Sequence, residues 1–226
     1  MSAPAPEAPR RRRPSAGRVV ALLFAAACLV GAGVLASMAL RPAPGGLVDL
    51  SGNRVVLDDV PDVAAADPVA LPEEGSDGAG RFVAPRQGLD VPLVAMNVVD
   101  GVINPPTLTD AFLVRGHGTP QEPGSGLVVL AMHAVRGGNA PGNAFFAMEA
   151  AESPVTVEVG DVLLVDGVAY TVTGHRVMSK DDAASSAEVW GDPAGRDGEL
   201  VLITCLQRQG ESGSATDNLV VFARAS

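Results

Sequence analysis

Short runs of aliphatic and β-branched residues, cut by Gly, Pro, Asn and Asp, set the texture of this chain from residue 81 onward. Runs of that length and composition predict strands, here at 91–96, 127–132, 155–159, 161–165, 168–177, 200–205 and 219–223. Asp166-Gly167 stands between two of them, the dipeptide suited to a two-residue hairpin. The stretch 143–151 (NAFFAMEAA) predicts a short helix with Asn143 as its N-cap, and 181–190 predicts another helical turn. Many short strands and few helices imply an all-β domain, closed or nearly closed into a barrel of about 145 residues.

The chain before residue 81 is different. Residues 19–40 form a charge-free apolar run of 22 residues, about 33 Å long as a helix and long enough to span a bilayer. Five arginines and one acid lie in the first 18 residues, and Arg41 alone follows the run directly. The positive-inside rule puts the basic tail 1–18 in the cytoplasm and the remainder outside, a single-pass protein of the cell membrane. A cleaved signal peptide is the competing reading, because Ser37-Met38-Ala39 loosely fits a small-x-small site. The run is long for a signal peptide, which favours a retained anchor. Residues 41–80, rich in Pro, Ala, Gly and Asp, read as a flexible linker with one hint of a strand at 55–57. The domain organisation is thus 1–18 tail, 19–40 anchor, 41–80 linker and 81–226 barrel.

Charge narrows the partners. The chain carries −10 overall, but from Pro42 onward 10 basic residues face 25 acidic ones, a formal −15. Such a surface disfavours nucleic acid and is not drawn to anionic lipid. The acidic residues between Lys180 and Glu199 lack the spacing of a calcium loop, so neither a metal nor another cofactor is expected.

Two cysteines exist, Cys28 inside the apolar run and Cys205 in the exported part. A lone thiol in an oxidising compartment is a buried inert group, half of an intermolecular disulfide, or a reactive group. Cys205 closes the apolar run ELVLITC and opens a polar loop; His133 stands likewise at the exit of LVVLAM. Imidazole beside thiol can take its proton and later protonate a leaving amine. His117 lies in a Gly-rich loop and His175 on a strand, where both read as structural.

The segment LVVLAMHAVRGGNAPGNAFFAM is similar to the strand–His–loop–Asn-Ala-Phe segment of the sortase family, and LVLITC to its Thr-Leu-x-Thr-Cys motif. With the His-to-Cys spacing, the hairpin between them and the N-terminal anchor, the chain resembles sortases over roughly 81–223, most nearly the small actinobacterial class E or F members. That resemblance implies an eight-stranded barrel in which Cys205 attacks the Thr–Gly bond of an LPxTG-like sorting signal. The thioacyl-enzyme then passes its acyl group to an amine of a peptidoglycan precursor or a pilin. His133 becomes the partner of Cys205, and Thr204 a substrate contact. One position departs from the family: Asn218 stands where sortases carry an arginine at the start of the last strand. Either Asn218 or Arg208, in the loop after Cys205, then stabilises oxyanion and substrate, or the chain is a low-activity homologue or an anchored binding module. Papain-like thiol hydrolases, with Cys before His, and L,D-transpeptidases, with a His-Gly-Cys-like cluster, fit the order and setting of these residues less well.

Overall fold

The computed structural model describes residues 46–55, 57, 80–148, 150, 154–191 and 195–226. The basic tail, the apolar run 19–40 and most of 41–80 lie outside these residues. Among the described residues no helix is long and apolar enough to cross a membrane.

A short hairpin of β1 (Leu47–Val48) and β2 (Arg54–Val55) comes first, and eight further strands close a barrel among the described residues. The barrel strands are β3 (Gly80–Ala84), β4 (Leu89–Met96), β5 (Ala111–Val114), β6 (Val128–Met132), β7 (Val162–Val165), β8 (Val168–Ser179), β9 (Glu199–Leu206) and β10 (Asp217–Ala225). Around the barrel they run β10-β8-β7-β3-β4-β5-β6-β9, and β9 pairs with β10 to close the ring. Asp166-Gly167 turns β7 into β8 with φ of 49° and 80°, the left-handed pair that the sequence requires of a tight hairpin. Two pairings are parallel, β4 with β5 and β6 with β9. A parallel pair needs a long crossover. The β6–β9 crossover holds β7, β8 and the helix α1 (Lys180–Ser185).

Every barrel strand sends alternate side chains inward. Phe82, Val91, Leu130, Leu163, Tyr170, Leu202 and Leu219 belong to one buried cluster that draws on most of the strands. A second cluster lies on the outer face of β4, β5, β6, β9 and β10, where Met96, Phe112, Val129, Val201 and Val220 are covered by Val189 with Ile103 and Trp190. These strands are buried on both faces, which is why they read as continuous apolar runs rather than as alternation. Each such side chain contributes about 1.5–3 kcal/mol by burial.

Three expectations need correction. The segment 155–159 is no strand; only the isolated bridge Phe146↔Val155 forms there. The closed barrel leaves it no edge to pair with, so Val157 is buried while Val159 stays exposed. Strands β3 and β5 escape sequence reading because each is short and flanked by Gly, Pro or Asp. The helix expected at 143–151 is a 3-10 turn, Pro141–Phe145, and Asn143 is its third residue, not its cap. Pro141 starts the turn and Phe146 is already extended, with φ −153° and ψ 154°.

Residues 46–55, read as linker, hold the hairpin of β1 and β2. Strands β1 and β2 pair, and the buried Asp49 carboxylate between them accepts from the amides of Ser51, Asn53 and Asn139. Burial works against that charge, but these amide hydrogen bonds prevail and hold its pKa below the ordinary value. Val55 packs with Leu108, Val135 and Ala140, against the loop that follows β6.

Candidate active site

His133 and Cys205 are 72 residues apart, yet the sheet register makes them neighbours. Strands β6 and β9 lie side by side, run parallel, and pair from Val128↔Leu200 to Met132↔Thr204. His133 is one residue past the end of that ladder, level with Cys205. Adjacent strands stand about 4.7–4.9 Å apart. Antiparallel to β9 on its other side, β10 pairs Asn218 with Cys205. His133, Cys205 and Asn218 therefore form a row across three adjoining strands.

The pleat decides which face they occupy. Ala131, Ile203 and Val220 pack in the outer cluster, and Met132, Leu206 and Leu219 in the inner one. His133, Cys205 and Asn218 share the outward phase and line a cavity of about 610 Å³. Thr204 has the opposite phase: its side chain is buried, 2 % exposed, and packs against Gly142. It borders the cavity, but its hydroxyl is buried and makes no hydrogen bond among the described residues.

Arg208, the other residue weighed for the arginine's place, is engaged elsewhere. Its guanidinium lies 2.6 Å from Asp217 and 3.9 Å from Glu211 and does not line the cavity. Asp217 precedes Asn218 on β10 and so points to the other face. The cationic side chains that do line the cavity are Arg136 and Lys180.

His133 is held by a residue that sequence reading passed over. Its Nε2 lies 2.7 Å from the carbonyl oxygen of Pro105. A carbonyl can only accept, so Nε2 carries the proton, and Nδ1 of the neutral ring is left as the basic nitrogen. Pro105 belongs to the loop between β4 and β5, folded by a small hairpin in which Val99 bridges Val102 around Asp100-Gly101. That Asp-Gly pair is the same signal that marks the β7–β8 turn. Burial is the largest influence on the imidazole and lowers its pKa from 6.5; the Pro105 carbonyl opposes this and the nearby Lys180 charge adds to it.

The loop after His133 is built around Asn143. Its side-chain oxygen accepts from the amides of Val135 and Ala140, and its nitrogen donates to the carbonyl of Val135. Gly142 donates its amide to the carbonyl of His133 at 2.8 Å, and Gln207 on the β9 side donates to Ala134. Asn143→Ala removes these three bonds to backbone at once, together with a long one to the Met148 sulfur, and should destabilise the fold by about 1–3 kcal/mol. A denaturant midpoint indistinguishable from the parent would show that the loop does not depend on this amide.

The remaining histidines stand apart. His117 packs on Trp190 with ring centroids 6.1 Å apart, its pKa lowered by burial, and His175 lies opposite Val221 in β8. Neither lines the cavity. Among the described residues no three His, Cys, Asp or Glu side chains converge as a metal site needs.

Residues 83–226 match the family model described as the sortase domain. No curated protein matches the chain. Solved structures of similar fold include sortase C from Clostridium perfringens SM101, 16 % identical, covering 67 % of this chain and 71 % of that one at TM-score 0.43. The lid mutant of sortase A from Corynebacterium diphtheriae is 17 % identical over 66 % and 69 % at TM-score 0.45. Sortase C-1 from Actinomyces oris is 19 % identical over 68 % and 77 %, also at TM-score 0.45.

Proposed function

The chain belongs to the sortase family, and from that premise we propose that it is a membrane-anchored thiol transpeptidase acting on an LPxTG-like sorting signal. The register of β6 on β9, which sets His133 level with Cys205 on the face of one cavity, is the observation that carries this reading. In the proposed reaction Nδ1 of His133 takes the proton of the Cys205 thiol. The thiolate attacks the carbonyl carbon of the Thr–Gly bond, and the carbonyl π pair moves onto oxygen. Asn218, paired with Cys205 across β9 and β10, is suited to donate a hydrogen bond to that oxyanion. Collapse of the tetrahedral intermediate breaks the C–N bond, and the imidazolium returns its proton to the departing amine. An amine of a peptidoglycan precursor or pilin then attacks the thioester and frees Cys205.

Thr204 is better suited to positioning the strand than to meeting substrate, given its buried side chain. The run 19–40 is proposed as the single membrane span that holds the catalytic domain outside the cell, and the class E or F assignment is proposed with it. The test is to incubate the full chain with an LPxTG-type peptide and a small primary amine and analyse the products by mass. Joining of the amine to the new threonine carboxyl end supports the proposal. Release of the free acid only, or no cleavage across related sorting peptides, counts against it.

A further inference from the structure

Residues 81–226 carry 9 basic and 17 acidic side chains, a formal −8, so a thiolate there is opposed by its surroundings unless a cation stands near it. Arg208 is not that cation, being paired with Asp217 on the other face. The charged or titratable groups lining the cavity are His133 and Arg136 from the β6 loop, Lys180 and Asp181 from α1, and Cys205 itself.

The register singles out Lys180, the only lysine of the chain. On β10, Asn218 pairs with Cys205 on one side and with Met178 of β8 on the other. Met178 packs with the outer cluster and so shares the face of Cys205. Lys180 lies two residues further along, opens α1 and lines the cavity. Strands β8 and β9 point the same way, since each is antiparallel to β10; both therefore finish at the rim where His133 and Cys205 stand. The position is pinned twice. The Lys180 amide donates to the carbonyl of Thr216 at 3.0 Å, and the preceding Ser179 caps α1 by accepting from the Asp182 amide. Trp190, another cavity residue, is tied to the same helix through Nε1 to the Ala183 carbonyl. No carboxylate among the described residues forms an ion pair with the ammonium group, whose charge instead reaches His133.

We infer that Lys180 is the cation that stabilises the Cys205 thiolate and the oxyanion formed when that thiolate attacks a peptide carbonyl, a role that rests on the thiol chemistry proposed above. A flexible ammonium group reaches by its stem from α1, whereas an arginine acting from Asn218's position would reach across the strands. The charge thus enters the cavity from a different element. It favours thiolate and disfavours imidazolium together, which gives the role a signature: removing it should raise the pKa of both groups. A side chain that only packs would not move both in the same direction.

The test is the pH dependence of Cys205 alkylation by iodoacetamide in the full 226-residue chain, read at the Cys205 peptide by mass spectrometry so that Cys28 does not interfere. Lys180→Met should move the midpoint up by about one pH unit or more. It should also slow single-turnover acylation by a sorting peptide about 10²-fold. Lys180→Arg should restore most of both, and Arg208→Ala should leave both unchanged. A Lys180→Met profile that superimposes on the parent, or an upward shift caused by Arg136→Gln instead, overturns the inference. The alkylation profile needs no sorting peptide. A shift with Lys180→Met in a protein that cleaves no such peptide would therefore support Lys180 while refuting the proposed substrate.

Discussion

His133→Ala is expected to slow acylation of Cys205 by about 10²–10⁴-fold, the range for losing a positioned general acid–base group. The expectation follows from three observations. The imidazole stands one residue past the β6–β9 ladder, level with the thiol. Its Nε2 proton is committed to the Pro105 carbonyl, so Nδ1 is the nitrogen available as base. Burial and the Lys180 charge lower its pKa below 6.5, so the ring is neutral and competent as a base at neutral pH. The depressed value also has a stability consequence. The unfolded chain binds the proton more readily than the folded one, so the contribution is fully present above pH 6.5. It is lost as pH falls through the folded value. His133→Ala should therefore flatten part of the acid-side fall in denaturant stability while it removes activity. Stopped-flow acylation and denaturation across pH measure the two effects. Acylation within about threefold of the parent would place the base elsewhere.

Gly142→Ala is expected to damage fold and site together. A Cβ there would overlap Thr204 Oγ1 and stand 2.7 Å from the carbonyl oxygen of His133. Both obstacles belong to residues around the cavity: Thr204 precedes Cys205, and the His133 carbonyl accepts the Gly142 amide. Relief requires β9 and the end of β6 to separate. Overpacking of this kind costs about 1–3 kcal/mol, and displacing reacting groups by about 1 Å costs of order 10²-fold in rate. Adding Thr204→Ala should recover part of the stability, because it removes the hydroxyl, the nearest obstacle, while the Cβ of residue 204 stays 2.9 Å away. It should leave acylation slow, because the backbone obstacle remains. Calorimetry and single-turnover kinetics on the two variants test this, and full recovery of rate in the double variant would contradict it.

Much of this arrangement is legible in the chain because two members of the row, His133 and Cys205, each end a hydrophobic run. LVVLAM before His133 and LVLIT before Cys205 are core strands whose apolar character is dictated by burial on two faces. The polar residue that follows each is exceptional in composition, and the motif resemblance supplies the pairing that spacing alone does not. The register that joins them was not legible. A parallel pair has no local signature, since its partner arrives after a crossover of 66 residues between Met132 and Glu199. Lys180 escaped for a related reason: it belongs to the site through two cross-strand pairings and a helix cap, none of which is visible from its neighbours in sequence. Pro105 escaped because its contribution is a backbone carbonyl, which every residue type has. The hairpin of β1 and β2 was hidden by composition. Its ordering depends on one buried carboxylate, Asp49, and on partners some 90 residues away such as Asn139.

The central claim is that Cys205 becomes acylated by a sorting peptide through the agency of His133. The most direct measurement is intact-protein and peptide mass spectrometry of the full chain after brief exposure to an LPxTG-type peptide, quenched in acid to preserve a thioester. The account predicts an acyl adduct ending in threonine on Cys205, formed rapidly in the parent, slowly in His133→Ala and not at all in Cys205→Ala. Peptide cleavage that persists in Cys205→Ala, or an adduct on any other residue, would contradict it.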